Sequence, residues 1–260
     1  MRISESIGPL GELMAVWSDR AAAVPGVRVT VHVPEMAVAA RIPDLRLAHP
    51  TVQPLPGGRV LVAGARCDWR PERNAIVYDA EGEAVAEQTF GDGIGHVQST
   101  GSGEIWVGCF ERSGPVRVSA DLTEEWRYPW SAQMAWGHVL DCYTLNVDGD
   151  TAWACFYPDW PIVRIRAGGV TGWHNEIRSA TALAIRGSRI ALYGGYGPDR
   201  DRLVAGVLDG DRLRATGEYR LVLPDGQEVP REARVFGRGA DLHVVTRDDW
   251  FRLSLEDLPG

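Results

Sequence analysis

Apolar and polar positions along the chain fall into one phrase used five times: an apolar stretch, a tight turn bearing Gly or Asp, then a β-rich run. It reads VQPLPGGRVLVAGA at Val52–Ala65, VQSTGSGEIWVGCF at Val97–Phe110 and LNVDGDTAWACFY at Leu145–Tyr157. It returns as LAIRGSRIALYGGY at Leu183–Tyr196 and VFGRGADLHVVTR at Val235–Arg247. The starts at 52, 97, 145, 183 and 235 set a period of 38–52 residues. A period of about 40–45 residues with several short strands per unit marks a β-propeller, because one small sheet cannot bury its faces without a neighbouring copy.

Each unit is predicted as four antiparallel strands. In the second these are Thr51–Leu55, Arg59–Ala65, Asn74–Asp79 and Ala84–Phe90. Turns such as Pro56-Gly57-Gly58 and Asp148-Gly149-Asp150 supply the positive-φ residues that tight hairpins need. The last unit offers only Glu232–Phe236, Leu242–Thr246 and Trp250–Leu255. An open edge would recruit other chains, so an N-terminal strand is expected to close the ring. If Met1–Ile7 closes it, Glu12–Leu47 forms a degenerate first blade and there are six blades. If Met36–Ile42 does so, there are five. The echo of Pro56-Gly57-Gly58-Arg59-Val60 in Pro25-Gly26-Val27-Arg28-Val29 favours six. Residues 1–260 then read as a single all-β propeller domain.

Charge narrows the partners. With 27 Lys+Arg against 35 Asp+Glu the net charge is −8, every one of the cations is Arg, and no basic block occurs. Wrapping nucleic acid or an anionic membrane needs a basic face, so neither is expected. No stretch approaches the roughly 18 apolar residues of a membrane span, and MRISESIGPLGELMAVW has no charged and then apolar leader pattern. Cys67, Cys109, Cys142 and Cys155 show no CxxC spacing. Four reduced cysteines in a cytoplasmic protein are expected.

Candidate chemistry gathers on one face, where the loop entering each blade meets the loop between its second and third strands. Asp68-Trp69, Asp159-Trp160 and Asp249-Trp250 recur there, spaced by 91 and 90 residues, and Glu111 stands at a comparable place. Indoles and carboxylates on such a rim suit stacking of a small molecule, a peptide or a partner protein. The plainer alternative has Asp capping the turn and Trp packing between blades. Trp106 and Trp153, in mid-strand, are expected in the core, and His32 and His243 are expected to be structural. A second cluster lies at the strand entries: Asp92 and His96 in GDGIGHVQ, and His138, Asp141 and Tyr143 in GHVLDCYTLNV. Imidazole, carboxylate and phenol converging on an axial funnel could bind a metal ion or serve as acid and base.

GDGIGHVQSTGSGEIWVG and LDCYTLNVDGDTAWACFYPDW resemble a group of actinobacterial propeller proteins over roughly residues 45–200. More distantly, the I-x-H-V-Q-x-x-x-x-G-x-I-W-V-G blade is similar to those of the streptogramin (virginiamycin) B lyase family. That resemblance implies a magnesium-dependent propeller that opens a cyclic depsipeptide by elimination at an ester, with His96 at the axis.

Two functions are therefore carried forward. The first is a binding module whose ligand-contacting residues are Asp68, Trp69, Asp92, Glu111, Tyr143, Asp159, Trp160, Asp249 and Trp250. The second is a lyase or hydrolase of an ester or lactone. There a divalent cation, Mg or Ca, would polarise a carbonyl, Asp92 and Asp141 would orient or ligate, and His96 or His138 would move the proton.

Overall fold

The computed structural model describes residues 1–18, 26–33, 35–68, 72–110, 114–129, 136 and 139–259. Its strands form six antiparallel sheets in succession, and the fold is a six-bladed β-propeller. The described residues fall into two compact units, Met1–Glu111 with Pro115–Tyr128, and Arg112–Gly114 with Pro129–Gly260.

Unit 1 holds three four-stranded blades. The first comprises β1 (Arg2–Ile7), β2 (Leu13–Ser18), β3 (Val27–Val33) and β4 (Glu35–Ile42). The second comprises β5 (Ala48–Leu55), β6 (Arg59–Arg66), β7 (Ala75–Tyr78) and β8 (Ala84–Gln88). The third is β9 (Ile94–Ser99), β10 (Ile105–Cys109), β11 (Val116–Val118) and β12 (Glu124–Arg127). Unit 2 continues with β13 (Asp141–Asp148), β14 (Thr151–Tyr157), β15 (Ile162–Arg166) and β16 (Gly169–Trp173). Then come β17 (Ala182–Arg186), β18 (Arg189–Tyr193), β19 (Arg202–Asp209) and β20 (Arg212–Arg220). A three-stranded sheet of β21 (Arg234–Arg238), β22 (Asp241–Val245) and β23 (Trp250–Ser254) ends the series.

The two-residue alternation of a strand explains why the second strands carry unbroken apolar runs. In β6, Val60 and Val62 pack with Met14, Val16 and Val29 of the first blade. Their chain neighbours Leu61 and Ala63 pack with Ile94, Val97 and Ile105 of the third. β18 repeats the device: Ile190 and Leu192 join Trp153, Cys155 and Ile162, while Ala191 and Tyr193 join Ala240 and Leu242. Both faces of these strands are interior, so a polar residue on either would be costly. Trp106 and Trp153 are buried, as expected of mid-strand indoles.

Polar groups buried on the first strands are all the more informative. Gln53 on β5 donates to Ile7 O of β1 at 3.1 Å and accepts from Ser99 N of β9 at 2.9 Å. Asn146 on β13 donates to Leu183 O of β17 at 2.7 Å and to Gly239 O, just past β21, at 2.9 Å, and it accepts from Gly239 N. Each carboxamide ties together three successive blades of its own unit. Backbones also approach closely: a Cβ on Gly237 would fall 1.8 Å from Leu183 O, and one on Gly82 (φ +88°) 1.8 Å from Arg41 O.

The expected closure by an N-terminal strand is corrected. Met1–Ile7 supplies β1, which pairs with β2 in the first blade, and Met36–Ile42 lies in β4 of that same blade. The first blade is therefore complete rather than degenerate, and among the described residues the last sheet keeps three strands. Proximity decides it: the Gly8–Gly11 turn delivers Leu13–Ser18 to β1, with Gly8 N–H donating to Glu12 O at 2.8 Å and Gly11 N–H to Gly8 O at 3.1 Å. A hairpin closed over a handful of residues loses far less chain entropy than pairing with a distant segment. Leu255, in the 3-10 turn that follows β23, is buried with Ala182 and Ala184.

Candidate functional site

In unit 2 the loop from β14 to β15 builds an aromatic cluster. Trp160 sits in the left-handed region (φ 58°), and its N–H donates to Phe156 O at 2.8 Å. The Trp160 carbonyl accepts from Asn175 Nδ2 at 2.9 Å and from Cys155 Sγ at 3.4 Å. Asn175 also donates to Ile177 O and accepts from Ile177 N, so the loop is fastened to the segment after β16. Held this way, the Trp160 indole turns inward, buried beside Cys155, Ile162 and Ala180. It forms a floor.

Tyr143 stands on that floor, its ring centroid 4.4 Å from Trp160 at 69°. It occupies a bulge in β13, where the pairing with β14 slips between Cys142 and Thr144. A bulge re-aims a side chain out of strict alternation. The Tyr143 hydroxyl is hydrogen-bonded to that of Tyr196, and burial foremost, then this bond, pushes the phenol above its ordinary range. Tyr157, at the end of β14, lies 5.8 Å from Trp160 and 6.5 Å from Tyr143. Tyr196 lies 6.4 Å from Tyr143 at 85°. Tyr157 is 41% and Tyr196 66% exposed, so two rings open to water flank a half-buried one. Asp141 pairs across the ladder with Tyr157, and its charge is among those felt by Tyr143. Burial pushes the Cys155 thiol up to about 12.

The other sequence candidates are placed as follows. Asp159 is exposed in the same loop as Trp160. Asp249 works through its backbone, its N–H donating to Thr246 Oγ1 at 2.9 Å and its carbonyl accepting from Thr246 N. Trp250 lies on β23 beside His243 of β22, the rings stacked at 5.8 Å and 23°, and donates from Nε1 to His243 Nδ1 at 3.1 Å. Burial pushes that imidazole down to about 4. Trp160 and Trp250 thus do different jobs, despite the shared Asp-Trp motif.

In unit 1, Asp68 is exposed and its N–H meets Glu72 Oε2 at 2.6 Å. Asp92 accepts from Cys67 N and from Arg66, both at 3.1 Å. The Cys67 amide foremost, with Arg66 adding, holds its carboxyl below the usual carboxylate range. Arg66 also lies over the Phe110 ring, 4.7 Å from its centroid. His96 is half-buried on β9 opposite Gly108. Trp69, Glu111 and His138 lie outside the described residues. Of the proposed axial set, His96 and Asp92 belong to unit 1 and Asp141 to unit 2.

A divalent cation is not matched by the described side chains. Among them no three His, Cys, Asp or Glu gather as a metal-binding group, and Asp92 already has both oxygens engaged.

Sequence reasoning missed Tyr157, Tyr196 and Asn175. A signal was available for the two tyrosines: each ends one copy of the repeated phrase, at the place where Ala65, Phe110 and Arg247 end the others.

Compared with known families and with curated proteins, the chain matches no family model and no sequence. Solved structures do match. Virginiamycin B lyase from Staphylococcus aureus is 12% identical with a TM-score of 0.55, covering 98% of this chain and 84% of its own. The β-propeller domain of Swd1 from Myceliophteria thermophila is 13% identical with a TM-score of 0.58, covering 96% and 82%. A gluconolactonase from Xanthomonas campestris is 13% identical with a TM-score of 0.50, covering 95% and 91%. The likeness is one of fold alone. The lyase resemblance read from the His96 blade agrees with it at that level. Among the described residues no helix is long and apolar enough to cross a membrane.

Proposed function

We propose that this chain is a binding module and that its site is the face of unit 2 formed by Tyr143, Tyr157 and Tyr196 above Trp160. The ligand is a small molecule or a peptide side chain, and the cytoplasm is its setting. One observation carries the reading: Tyr157 and Tyr196 stay 41% and 66% exposed while flanking a third ring whose hydroxyl is already paired. Rings left in water around a rigid aromatic floor present apolar area at little entropic cost. The raised Tyr143 phenol and Cys155 thiol keep their protons at neutral pH, which suits recognition better than proton transfer or nucleophilic attack.

Saturation-transfer NMR with a mixed set of aryl, sugar and ammonium fragments tests the proposal. Hits are expected to perturb the Tyr157 and Tyr196 ring signals and to vanish in the Tyr157→Ala/Tyr196→Ala double variant. The variant should keep its fold, since both side chains lie at the surface. Hits that survive in it would refute the site.

A further inference from the structure

We infer that the group seated on this face is a compact, weakly hydrated organic cation, namely a quaternary or methylated ammonium. The inference rests on the binding reading above and names its ligand class.

Several other aromatic rings of the chain are paired with a cation of its own. Phe110 closes one copy of the repeated phrase, and the guanidinium of Arg66 covers its ring at 4.7 Å. Arg164 lies 5.8 Å from Trp153 and 5.7 Å from Trp173, and Arg234 lies 5.0 Å from Phe236. The negative face of a ring attracts a cation, and here the protein supplies that cation itself. Tyr157 and Tyr196 close the next two copies of the phrase, yet among the described residues no Arg covers either ring. Among the described residues, then, these two rings meet other rings but no cation of the protein.

The surroundings favour positive charge. Asp141 lies directly across the ladder from Tyr157, and Asp159 is exposed in the adjoining turn. Arg200, four residues beyond Tyr196, has its charge taken up by Asp201 at 3.0 Å and Glu228 at 3.5 Å, so it does not oppose an incoming cation. Ring geometry selects the kind of cation. Tyr143 and Tyr196 meet edge to face at 85° with centroids 6.4 Å apart, a fixed aromatic arrangement beside the exposed Tyr157 ring. The hydroxyls of Tyr143 and Tyr196 bond each other, which engages one of their two O–H donors and fixes both rings. A methylated ammonium needs no hydrogen bond. It spreads its charge over C–H surface that fits against rings.

The test is an NMR and calorimetric titration of the full chain with choline and with its neutral carbon isostere, dimethylbutanol. Choline is expected to bind saturably and about tenfold more tightly than the isostere. Tyr157→Leu and Tyr196→Leu keep apolar bulk but remove the π face, and each should weaken choline by about tenfold while leaving the isostere unchanged. Asp141→Asn should weaken choline severalfold and flatten its dependence on salt. Equal binding of choline and isostere at this face would overturn the cation inference and leave the binding reading standing. So would absence of choline binding while neutral fragments still reach the tyrosines. Loss of all fragment contact at the face would remove both.

Discussion

Units 1 and 2 are built on the same repeated phrase and the same internal pin, yet they finish their loop faces in opposite ways. Gln53 and Asn146 hold equivalent places in the repeated phrase, each a buried carboxamide that hydrogen-bonds the first strands or turns of the two other blades of its unit. At the loops, unit 1 spends its polar groups on itself: Asp92 ties Cys67 and Arg66, and Arg66 covers Phe110. Unit 2 leaves two tyrosines open over a buried Trp160. The scaffold is conserved within the molecule and the surface chemistry is not. A repeat fold can thus keep one internal pin while varying the chemistry of its loops.

The comparison can be broken first at the glycines where blades touch. Gly237→Ala and Gly82→Ala would each drive a Cβ to 1.8 Å from a carbonyl oxygen of the adjacent blade. Each should lose more than about 4 kcal/mol, as overpacking against backbone that cannot give way. Chemical denaturation reads the loss, and near-native stability would show that the blades have room to part.

Removing the pins should cost about 3 kcal/mol, because truncation strands several buried partners at once. Gln53→Ala and Asn146→Ala are expected to fall together within experimental error. A large difference in melting temperature between them would mean that the two units are not pinned alike.

Acid should separate the units. His243, on β22 of unit 2, is held neutral by burial down to about 4, whereas the unfolded chain protonates its histidines near 6.5. Folding then excludes a proton, so stability present at neutral pH declines as pH falls through this window and levels off below it. One pH step below 6.5 costs roughly 1.4 kcal/mol. His243→Gln keeps an acceptor for the Trp250 indole and should flatten this part of the pH profile. His32 of unit 1 is also lowered, by burial and then by Arg2, but it is far less enclosed. Amide exchange at pH 5.5 should therefore quicken around β22 and β23 before it does around β3. Equal slopes for wild type and His243→Gln would contradict the assignment.

The smallest effect belongs to Asp92→Asn. It should leave the melting temperature nearly unchanged and speed amide exchange at Cys67 alone. A collapse of unit 1 would show that the exposed lock matters more than its setting suggests.

Much of the fold was legible because β structure writes its burial pattern with a period of two, and runs such as RVLVAGA and TAWACFY have to lie between two cores. The spacing of those runs gave five copies, and the echo of Pro56–Val60 in Pro25–Val29 pointed to the sixth blade. Ring closure did not, because the choice of partner for Met1–Ile7 turns on chain entropy and on the Gly8–Gly11 turn rather than on the strand's own pattern. The pins were equally hidden. Gln53 and Asn146 interrupt apolar strands and look like blemishes until their partners on other blades are known. Of the proposed site, Tyr143 and Trp160 were singled out from local motifs. Tyr196 comes from the next blade, and its meeting with Tyr143 across 53 residues is a tertiary fact. The Asp-Trp recurrence was real as a pattern of letters, but backbone conformation sent Trp160 inward and placed Trp250 against His243.

Because alternate residues of β6 serve different cores, covalent adjacency and energetic adjacency come apart in this molecule. Leu61 and Val62 share a peptide bond and yet answer to separate interlayers, whereas Val62 and Val29 are distant in the chain and answer to one. Substitutions at the first pair should combine additively and those at the second should not. Each interlayer can thus drift and repack on its own, and a blade acts as a party wall between rooms that are furnished independently.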